Sequence, residues 1–324
     1  MTSGGADGSP GKIGMIYTVT LNPALDLELC VPEILFDQVM RASQVRIDSG
    51  GKGFNISRAL SMLGAPSLAL GFLGGKTGER MANELETLGV QTDFDWISGE
   101  TRTNVHIVNL QNGHYIKVNQ PGPRVTAVEL EKLRIKVRSR ARPGDMWIFS
   151  GSLPPGAAAD TYAPMVKVVQ GAGGTAFVDA DGETLLETCR AQPYLVKPNA
   201  LEAGKLTGLE ISRPEDALHA AATFHGIGIR AVLITLGVDG AVLSQDGHAW
   251  WAKPPAIDAD IPTGAGDATM AGFVWGMSRG VPPDEALRLG VASGTASASL
   301  PGTAVASREL IEVIAAQVRI REMA

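Results

Sequence analysis

The sequence TGAGDATMAGFVWGM (263–277) places three small residues and a carboxylate directly before a run that is typical of a buried helix. Gly264, Ala265 and Gly266 would leave the first backbone N–H groups of that helix open to an anion, at the positive end of its dipole. Asp267 would repel an anion, so it makes sense there as a base that takes a proton from an attacking hydroxyl. The alternative is that Asp267 only caps the helix and that the glycines form a turn.

A second glycine-rich stretch, GGKGFN (50–55), also opens a predicted helix. Its glycines would let a ligand approach the backbone closely, and Lys52 would supply a positive charge for a phosphate group. Asn55 can both donate a hydrogen bond to a sugar hydroxyl and accept one from it. The alternative is a glycine-rich turn whose lysine is solvated.

A third polar cluster, KPNALE (197–202), stands at the end of a predicted strand. Asn199 and Glu202 are three residues apart, so they would share one face of the helix that follows. Their oxygen atoms are of the kind that order water around a magnesium ion. By itself this cluster does not indicate a metal site, and it becomes informative only together with the other two clusters.

The charge balance excludes several classes of protein. Among 324 residues, 28 are basic and 34 acidic, and the net charge of −6 provides no basic surface for nucleic acid or for an anionic membrane. Cys30 and Cys189 lie far apart without a metal-binding spacing, which argues against a disulfide framework and is typical of a reducing cytoplasm. The uncharged stretch 289–307 contains Pro301 and many small residues, so we interpret it as a packed helix followed by a loop.

Predicted strands and helices alternate through most of the chain, which favours a parallel sheet covered by helices on both faces. The domain should occupy residues 15–324, after a disordered tail (1–14) that is rich in glycine and serine. The expected strands lie at 16–21, 25–31, 68–73, 146–150, 175–178, 194–196, 231–235 and 241–244, and the expected helices at 55–63, 78–88, 127–140, 160–170, 201–206, 215–224, 267–279, 283–300 and 308–321.

Two extended segments, about 24–48 and 93–120, interrupt this alternation. Between 93 and 118 the pattern has a period of two residues, with a hairpin turn expected at 111–113. We expect the two segments to form a small β-strand lid that closes over a ligand or contacts a second subunit. An ordinary surface hairpin is the alternative.

Eight motifs occur in an order that resembles the PfkB/ribokinase family of carbohydrate kinases. The resemblance covers essentially the whole chain after the tail, and it implies a ribokinase-like three-layer α/β/α domain with a mainly parallel central sheet and a small lid. The motifs are NPALD (22–26), GGKGFN (50–55), GFLGGKTG (71–78), TRTN (101–104), SGSLPPG (150–156), KPNALE (197–202), TLGVDG (235–240) and TGAGD (263–267).

The resemblance implies a role for each matching residue. Asp267 would be the catalytic base, and Gly264, Ala265 and Gly266 would form the anion hole for the transferred γ-phosphoryl group. ATP and Mg²⁺ are the implied cofactors, K⁺ is a further one in the family, and magnesium is implied at Asn199 and Glu202 through water. The implied nucleotide-side residues are Lys197, Asn199, Thr235, Gly237, Gly240 and Thr263, and the implied sugar-side residues are Asp26, Gly51, Asn55 and Ser152.

The substrate is expected to be a phosphorylated ketohexose. Lys52 and Arg102 are cations that a kinase of neutral sugars would not need, whereas a sugar that already bears a phosphate would need them. The patterns around them and KVNQPGP (117–123) are similar to those of 1-phosphofructokinases, followed by tagatose-6-phosphate kinases. The leading expectation is ATP-dependent conversion of fructose 1-phosphate to fructose 1,6-bisphosphate.

Two positions depart from the 1-phosphofructokinase pattern. His106 stands where a lysine is expected and Gln120 where a glutamate is expected, both on the substrate side of the lid strands. His106 could carry part of a positive charge, because the ordinary pKa of histidine is about 6.5. It could equally be a residue of the lid face that contacts no substrate.

Three alternatives stay open. The chain could phosphorylate tagatose 6-phosphate or fructose 6-phosphate, or it could act on a neutral sugar or a nucleoside. It could also be a protein without catalysis that keeps the fold and senses a sugar phosphate or a nucleotide. We expect a cytoplasmic protein that binds neither nucleic acid nor membrane and that forms a homodimer through the lid.

Overall fold

Alternate side chains of the central strands enter two hydrophobic clusters, one on each face of a large sheet. In one strand, Trp147 and Phe149 pack in the first cluster, and Ile148, between them, packs in the second. Helices from the middle of the chain contribute to the first cluster, whereas the helices that begin at Lys52 and Ala265 contribute to the second. The three-layer α/β/α arrangement that the sequence predicts is therefore confirmed.

The structure is a computed structural model that describes residues 14–257, 264–300, 302 and 304–323. Thr263 and the first 13 positions of the predicted tail lie outside the described residues. The strands are β1 (Ile16–Thr20), β2 (Ala24–Val31), β3 (Gln44–Gly50), β4 (Ser67–Leu73), β5 (Gln91–Trp96), β6 (Arg102–Asn109), β7 (Tyr115–Val118), β8 (Met146–Ser150), β9 (Thr175–Asp179), β10 (Leu195–Val196), β11 (Ala231–Thr235), β12 (Ala241–Gln245), β13 (His248–Lys253) and β14 (Arg319–Met323). The α-helices are α1 (Lys52–Met62), α2 (Gly75–Thr87), α3 (Ala127–Arg140), α4 (Tyr162–Gly171), α5 (Gly182–Cys189), α6 (Ala200–Thr207), α7 (Pro214–Gly226), α8 (Ala265–Ser278), α9 (Pro283–Ala298) and α10 (Arg308–Ala315).

The large sheet has ten strands in the order β14-β13-β12-β11-β10-β9-β8-β1-β4-β5. Pairing is parallel from β5 through to β11, and the three strands β12, β13 and β14 are added in antiparallel fashion. In an open parallel sheet, ligands bind beyond the carboxyl ends of the strands. This rule places the candidate site at the edge where β1, β8, β9, β10 and β11 end.

A second sheet of four strands, in the order β3-β2-β6-β7, corresponds to the lid. Strands β2 and β6 are parallel, with Asp26 opposite Asn104, and the other two pairings are antiparallel. The turn expected at 111–113 is confirmed, because β6 and β7 are joined there and Gly113 has a φ of 71°. Whether this sheet closes over a ligand stays a prediction.

The assignment of residues 93–96 to the lid is wrong. They belong to β5, which pairs with β4 in the large sheet. Asp93 and Asp95 form ion pairs with Lys136 of α3, and the Phe94 ring lies 5.1 Å from that of Phe54. These contacts with the body of the protein hold the segment in the large sheet, so the second part of the lid begins at β6.

The expected last helix, 308–321, is also wrong in its second half. Helix α10 ends at Ala315, and residues 319–323 form β14 beside β13. Arg321 there forms an ion pair with Glu215 and lies over the ring of Trp251, and both partners come from elsewhere in the chain. Neither α5 nor β13 was predicted from the sequence, and the first extended segment, about 24–48, stopped just short of the end of β3.

Helices α8 and α9 pack closely through small residues, as expected for the uncharged stretch. A Cβ atom at Gly276 would lie 2.9 Å from the Cα of Ala286, and one at Gly290 would lie 2.9 Å from the carbonyl oxygen of Thr269. The first part of the stretch thus belongs to the packed helix α9, as predicted, and the described residues between α9 and α10 lie in no helix or strand. None of the described helices combines the length and the apolar character that crossing a membrane requires.

Candidate active site

The first turn of α8 forms the centre of the candidate site. Gly264 occupies the N-cap with a φ of 83°, a left-handed conformation that glycine adopts readily, and the helix begins at Ala265, two residues earlier than predicted. The N–H groups of its first turn have no partners within the helix. Asp267 is the third helical residue and makes no capping hydrogen bond, so the alternative that it only caps the helix is wrong.

The Asp267 carboxylate is buried and perturbed. Only 7% of the residue is exposed, and its Oδ2 accepts a hydrogen bond of 2.8 Å from Nδ2 of Asn55. Burial, together with the negative charge of Asp179, raises the pKa of Asp267 to about 6. Lys52, the hydrogen bond from Asn55 and Lys197 act in the opposite direction. Such a carboxyl is ionised at neutral pH and is a stronger base than an exposed aspartate.

Asp179 is a residue of this site that the sequence did not single out. It ends β9, its side chain is fully buried, and its two oxygens lie 2.8 Å from Nζ of Lys52 and 3.0 Å from Nζ of Lys197. Burial opposes its ionisation, but the two ammonium groups prevail and lower the pKa of Asp179. An acidic residue directly after the buried run TAFV, at the carboxyl end of a parallel strand, was the signal that could have found it.

Lys52 lies at the first position of α1 and directs its ammonium group into the site. Its side chain is 33% exposed, so the alternative of a solvated lysine is not what the structure shows. Burial would lower the pKa of Lys52, but the carboxylates of Asp179 and Asp267 raise it overall, and the side chain stays charged.

Arg102 begins β6 and is oriented by neutral oxygen atoms. One terminal nitrogen donates to the carbonyl oxygen of Asn22 at 2.9 Å and to Oγ of Ser152 at 3.3 Å. The other donates to the carbonyl oxygen of Gln120 at 2.9 Å. Burial lowers the pKa of Arg102, but a guanidinium remains charged in proteins. The structure therefore brings together Arg102 and Ser152, two residues that the sequence analysis assigned separately to the substrate side.

The two departures from the 1-phosphofructokinase pattern have different environments. Gln120 follows β7 rather than lying in a lid strand, and its side-chain oxygen accepts a hydrogen bond of 2.9 Å from the N–H of Thr103. His106 lies in β6 opposite Lys117. Burial, and then the charge of Lys117, lower the pKa of His106 below its ordinary value. His106 is thus predominantly neutral at pH 7, and Lys117 is the cation at this place.

Asp26 lies in the lid strand β2 and is held by its neighbours. Its Oδ1 accepts a hydrogen bond of 2.9 Å from Nδ2 of Asn104, and a Cβ atom at Gly50 would collide with the carboxylate. Gly51 is the N-cap of α1 with a φ of 121°, which only glycine adopts readily. The oxygen of the Asn55 side chain is buried without a hydrogen-bond partner, and it points to a polar ligand at this end of α1.

Apart from Thr263, which lies outside the described residues, the residues assigned to the nucleotide side gather at the ends of β10 and β11. A Cβ atom at Gly266 would lie 3.3 Å from Nζ of Lys197, which ties this strand end to the first turn of α8. Asn199 pairs with Thr235 in an isolated bridge, and Gly237 has a φ of 59° with open space where a side chain would stand. The packing of the chain also requires glycine at position 240, because a Cβ atom there would collide with the carbonyl oxygen of Ala252.

Asn199 and Glu202 form a reciprocal cap at the start of α6. The N–H of Glu202 donates to Oδ1 of Asn199 at 2.8 Å, and the N–H of Asn199 donates to Oε2 of Glu202 at 2.9 Å. The described residues contain no cluster of three or more metal-ligating side chains. The pair nevertheless fits magnesium, which takes one or two protein oxygens and otherwise binds water and substrate phosphates.

Comparisons with known proteins agree with this geometry. A family model described as pfkB family carbohydrate kinase matches residues 19–310. The 1-phosphofructokinase of Bacillus subtilis is 34% identical over 284 residues, which cover 88% of this chain and 92% of that protein. The tagatose-6-phosphate kinase of Staphylococcus epidermidis is 30% identical over 314 residues, which cover 95% of this chain and 100% of that protein.

A solved structure extends the similarity to three dimensions. Phosphofructokinase-2 from Escherichia coli in complex with potassium matches with a TM-score of 0.88 and 29% sequence identity. The match covers 94% of this chain and 98% of that chain. The similarity thus includes the large sheet, the small sheet and the edge at which the site lies.

The buried carboxyl at the start of α8 predicts a pH dependence of turnover. A base must be ionised to accept a proton, so the rate of an ATP-dependent kinase assay should fall as the pH drops through about 6, where Asp267 becomes protonated. Asp267→Asn should lower kcat roughly 100- to 10,000-fold at all pH values. Asp284→Asn, in the first turn of α9, is the matched control and should be nearly normal. Near-normal turnover of Asp267→Asn with substrate binding preserved would remove Asp267 from this role.

Proposed function

The chain belongs to the pfkB family of carbohydrate kinases, and from this premise we propose that it transfers the γ-phosphoryl group of ATP to a ketohexose that already bears a phosphate. Fructose 1-phosphate is the leading acceptor and fructose 1,6-bisphosphate the product. The name and identity of the Bacillus subtilis relative support this choice, as do the sequence patterns around Lys52 and Arg102. Tagatose 6-phosphate is the second candidate, supported by the Staphylococcus epidermidis relative.

The observation that carries the proposal is the environment of Arg102. Its hydrogen bonds go to two backbone carbonyls and to the Ser152 hydroxyl, all of which are uncharged. Asp26 is close enough for its charge to raise the pKa of Arg102, but among the described residues no carboxylate is hydrogen-bonded to the guanidinium or paired with it. A partly buried cation without an anionic partner in direct contact is unfavourable. The phosphate of the acceptor would supply it, with bidentate hydrogen bonds to the guanidinium and a further contact to Ser152. A neutral sugar would leave the guanidinium without an anionic partner in direct contact.

Asp267 acts in this reaction as the base. It would take the proton of the acceptor hydroxyl while the N–H groups at Gly264, Ala265 and Gly266 hold oxygens of the transferred phosphoryl group. Asn55 orients the carboxylate through the hydrogen bond to Oδ2 and leaves Oδ1 for the substrate. Most of the rate enhancement comes from holding the hydroxyl in line with the γ-phosphate, because the transition state needs little covalent help.

The remaining sugar-side residues are proposed to recognise hydroxyl groups. Asp26, fixed by Asn104, would accept hydrogen bonds from the sugar, and the backbone at Gly51 lets it approach closely. Asn55 has a buried oxygen that still needs a donor. Lys52 uses one N–H group on Asp179, and its other N–H groups can reach phosphate oxygens of the acceptor or of the transferred group.

Kinases of this family use ATP and Mg²⁺. We propose that Lys197, Thr235, Gly237, Gly240 and Thr263 follow the nucleotide phosphates. Asn199 and Glu202 would hold magnesium through water, and the ion would neutralise charge on the β- and γ-phosphate oxygens. Potassium is present in the similar Escherichia coli structure, and here it is a proposed activator for which we assign no ligand.

The lid sheet supports a homodimer as its quaternary state. One of its faces is apolar, formed by Leu27, Leu29, Val45, Ile47, Val105, Ile107, Ile116 and Val118, which lie opposite one another in the strand register. Val45 is 59% exposed and Val118 is 56% exposed. A continuous apolar face with exposed valines is unfavourable in water, and a second copy of the same face would cover it.

A cytoplasmic location completes the proposal. Cys30 and Cys189 are both free thiols, and both are buried. This arrangement suits a reducing compartment, in which ATP and hexose phosphates are also found. The negative net charge gives no reason to expect nucleic acid or membrane as a partner.

The acceptor preference can be tested with a panel of six compounds: fructose 1-phosphate, tagatose 6-phosphate, fructose 6-phosphate, fructose, ribose and adenosine. ADP release should give the highest kcat/KM for fructose 1-phosphate. Arg102→Met should lower kcat/KM for the hexose phosphates by about 10- to 100-fold, the equivalent of a charge-assisted hydrogen bond, and leave the neutral acceptors almost unaffected. Arg138→Met, an exposed arginine on α3, is the control.

A higher kcat/KM for ribose, fructose or adenosine than for every hexose phosphate would contradict the argument from Lys52 and Arg102. Calorimetric binding of a sugar phosphate without ADP formation from any acceptor would instead favour the sensor that lacks catalysis.

Glu202→Gln tests the magnesium role separately from the capping role. Glutamine can keep the hydrogen bond to the N–H of Asn199, so the free energy of unfolding should change by less than about 0.5 kcal/mol. Loss of the charge should raise the Mg²⁺ concentration for half-maximal turnover by about 10-fold or more. Glu129→Gln, in the same kind of cap at Thr126, should change neither quantity. An unchanged Mg²⁺ requirement in Glu202→Gln would exclude Glu202 as a metal-side residue.

The lid dimer can be tested by light scattering. The wild-type protein should have twice the mass of the 33.9 kDa chain, and Val45→Lys should dissociate it, because a lysine cannot be buried unpaired between two apolar faces. Val128→Lys, at an exposed position of α3, should remain dimeric. A wild-type protein that scatters as a single chain at every concentration would contradict this proposal.

A further inference from the structure

Asp179 is bound on both of its oxygens by lysines that come from different parts of the site. Lys52 reaches Oδ1 from the first residue of α1, next to the proposed sugar-side residues. Lys197 reaches Oδ2 from the end of β10, next to the proposed nucleotide-side residues. The carboxylate is fully buried, and Lys197 is only 4% exposed. One buried carboxylate thus joins a cation of each half of the site.

The same two lysines lie close to the proposed base. The positive charges of both lysines lower the pKa of Asp267. A Cβ atom at Gly266, the residue before Asp267, would lie 3.3 Å from Nζ of Lys197. The ion pairs of these lysines go to Asp179, however, and the hydrogen bond of Asp267 goes to Asn55. The cluster therefore holds two carboxylates and two ammonium groups, and its formal charges cancel.

Without Asp179, the two ammonium groups would have Asp267 as their nearest counter-charge. A lysine on Asp267 would occupy the oxygen that must receive the proton of the acceptor hydroxyl, and it would make the carboxylate a weaker base. A buried ion pair is in itself a weak source of stability, since apolar residues of similar volume often stabilise as well or better. Stability alone therefore does not explain a buried aspartate at position 179, and its effect on Lys52 and Lys197 explains it better.

We propose that Asp179 is a positioning residue that holds Lys52 and Lys197 on its two oxygens, keeps both away from Asp267, and presents them on either side of the point of phosphoryl transfer. This inference rests on the proposed function, because it assigns a purpose to the lysines within that reaction. In this role Asp179 acts through the two lysines rather than through contact with a substrate.

The charges around Asp267 define the sign of the effect. Asp179 on β9 faces it with a negative charge, Lys52 on α1 and Lys197 on β10 face it with positive charges, and Asn55 on α1 donates a hydrogen bond. Replacing Asp179 by asparagine removes the negative charge and frees the lysines to approach. Both changes lower the pKa of Asp267, so the acid limb of the rate profile should move to lower pH.

The experiment compares Asp179→Asn with Asp145→Asn. Asp145 is also a buried aspartate, and it stands at the opposite end of the sheet, where it accepts hydrogen bonds from the N–H groups of Met15 and Arg142. Both substitutions remove one buried carboxylate charge. Only Asp179→Asn also breaks the two ion pairs with Lys52 and Lys197, which we call the lysine clamp. Three quantities are measured: kcat with its pH profile, KM of the acceptor, and the rate at which an acylating reagent labels each lysine, read by mass spectrometry.

For Asp179→Asn we expect kcat to fall on the order of 100-fold, with a smaller change in KM, and the acid limb to move below that of the wild type. Lys52 is accessible, and with Asp267 as the one remaining carboxylate for two lysines it should be labelled about tenfold faster or more, since one unit of pKa changes the free amine tenfold. Asp145→Asn should leave the acid limb and the labelling of Lys52 unchanged. A folded Asp179→Asn protein with wild-type labelling of Lys52, or with an acid limb that stays in place, would overturn the proposal.

Should Asp179→Asn fail to fold, Lys52→Met provides the second test. It removes a positive charge from the cluster, so the acid limb of kcat should move to higher pH, and an unmoved limb counts against the clamp. The labelling of Lys52 in Asp179→Asn needs no acceptor. It therefore tests the clamp even if the acceptor panel shows that the proposed substrate is wrong, and the two failures can be told apart.

Discussion

A carboxylate kept dry at the positive end of a helix is the constraint on which the rest of this structure depends. Burial and the nearby Asp179 would favour the protonated form of Asp267, whereas Asn55, the lysines and the first turn of α8 favour the ionised form. The balance leaves a base that is poised near neutral pH. To reach that balance, the fold must bring α1, β9, β10 and α8 to one place.

The large parallel sheet achieves this convergence. The chain leaves β1, β8, β9, β10 and β11 at the same edge, so Asn22, Ser152, Asp179, Lys197 and Thr235 become neighbours although they span more than half of the sequence. Helices α8 and α9 approach each other through glycine and alanine, which sets the depth of α8 behind that edge. The lid sheet adds Asp26 and Arg102 from the other side, and Arg102 is tied back to the body through Asn22 and Ser152.

Local patterns predicted those parts of the fold and site that depend on neighbours in the chain. The helix after TGAGD and the strands at 146–150 and 231–235 are of this kind. Residues 93–96 and 319–323 were assigned wrongly because their final state depends on partners far away, Lys136 and β13. Asp179 escaped notice for a similar reason. Its place at the carboxyl end of a strand marks it as a candidate, but only the folded chain shows that it holds two lysines, whereas Asp145, at the start of a strand, binds backbone N–H groups.

The most direct test of this account is a crystal structure with fructose 1-phosphate and a nonhydrolysable analogue of ATP bound together. The account predicts that the acceptor hydroxyl lies within about 2.6–3.2 Å of the Asp267 carboxylate, with the γ-phosphate on the N–H groups of the first turn of α8. The sugar phosphate should lie on Arg102. A complex in which the hydroxyl and the γ-phosphate lie away from Asp267 and α8, with Asp267 still bonded only to Asn55, would contradict it.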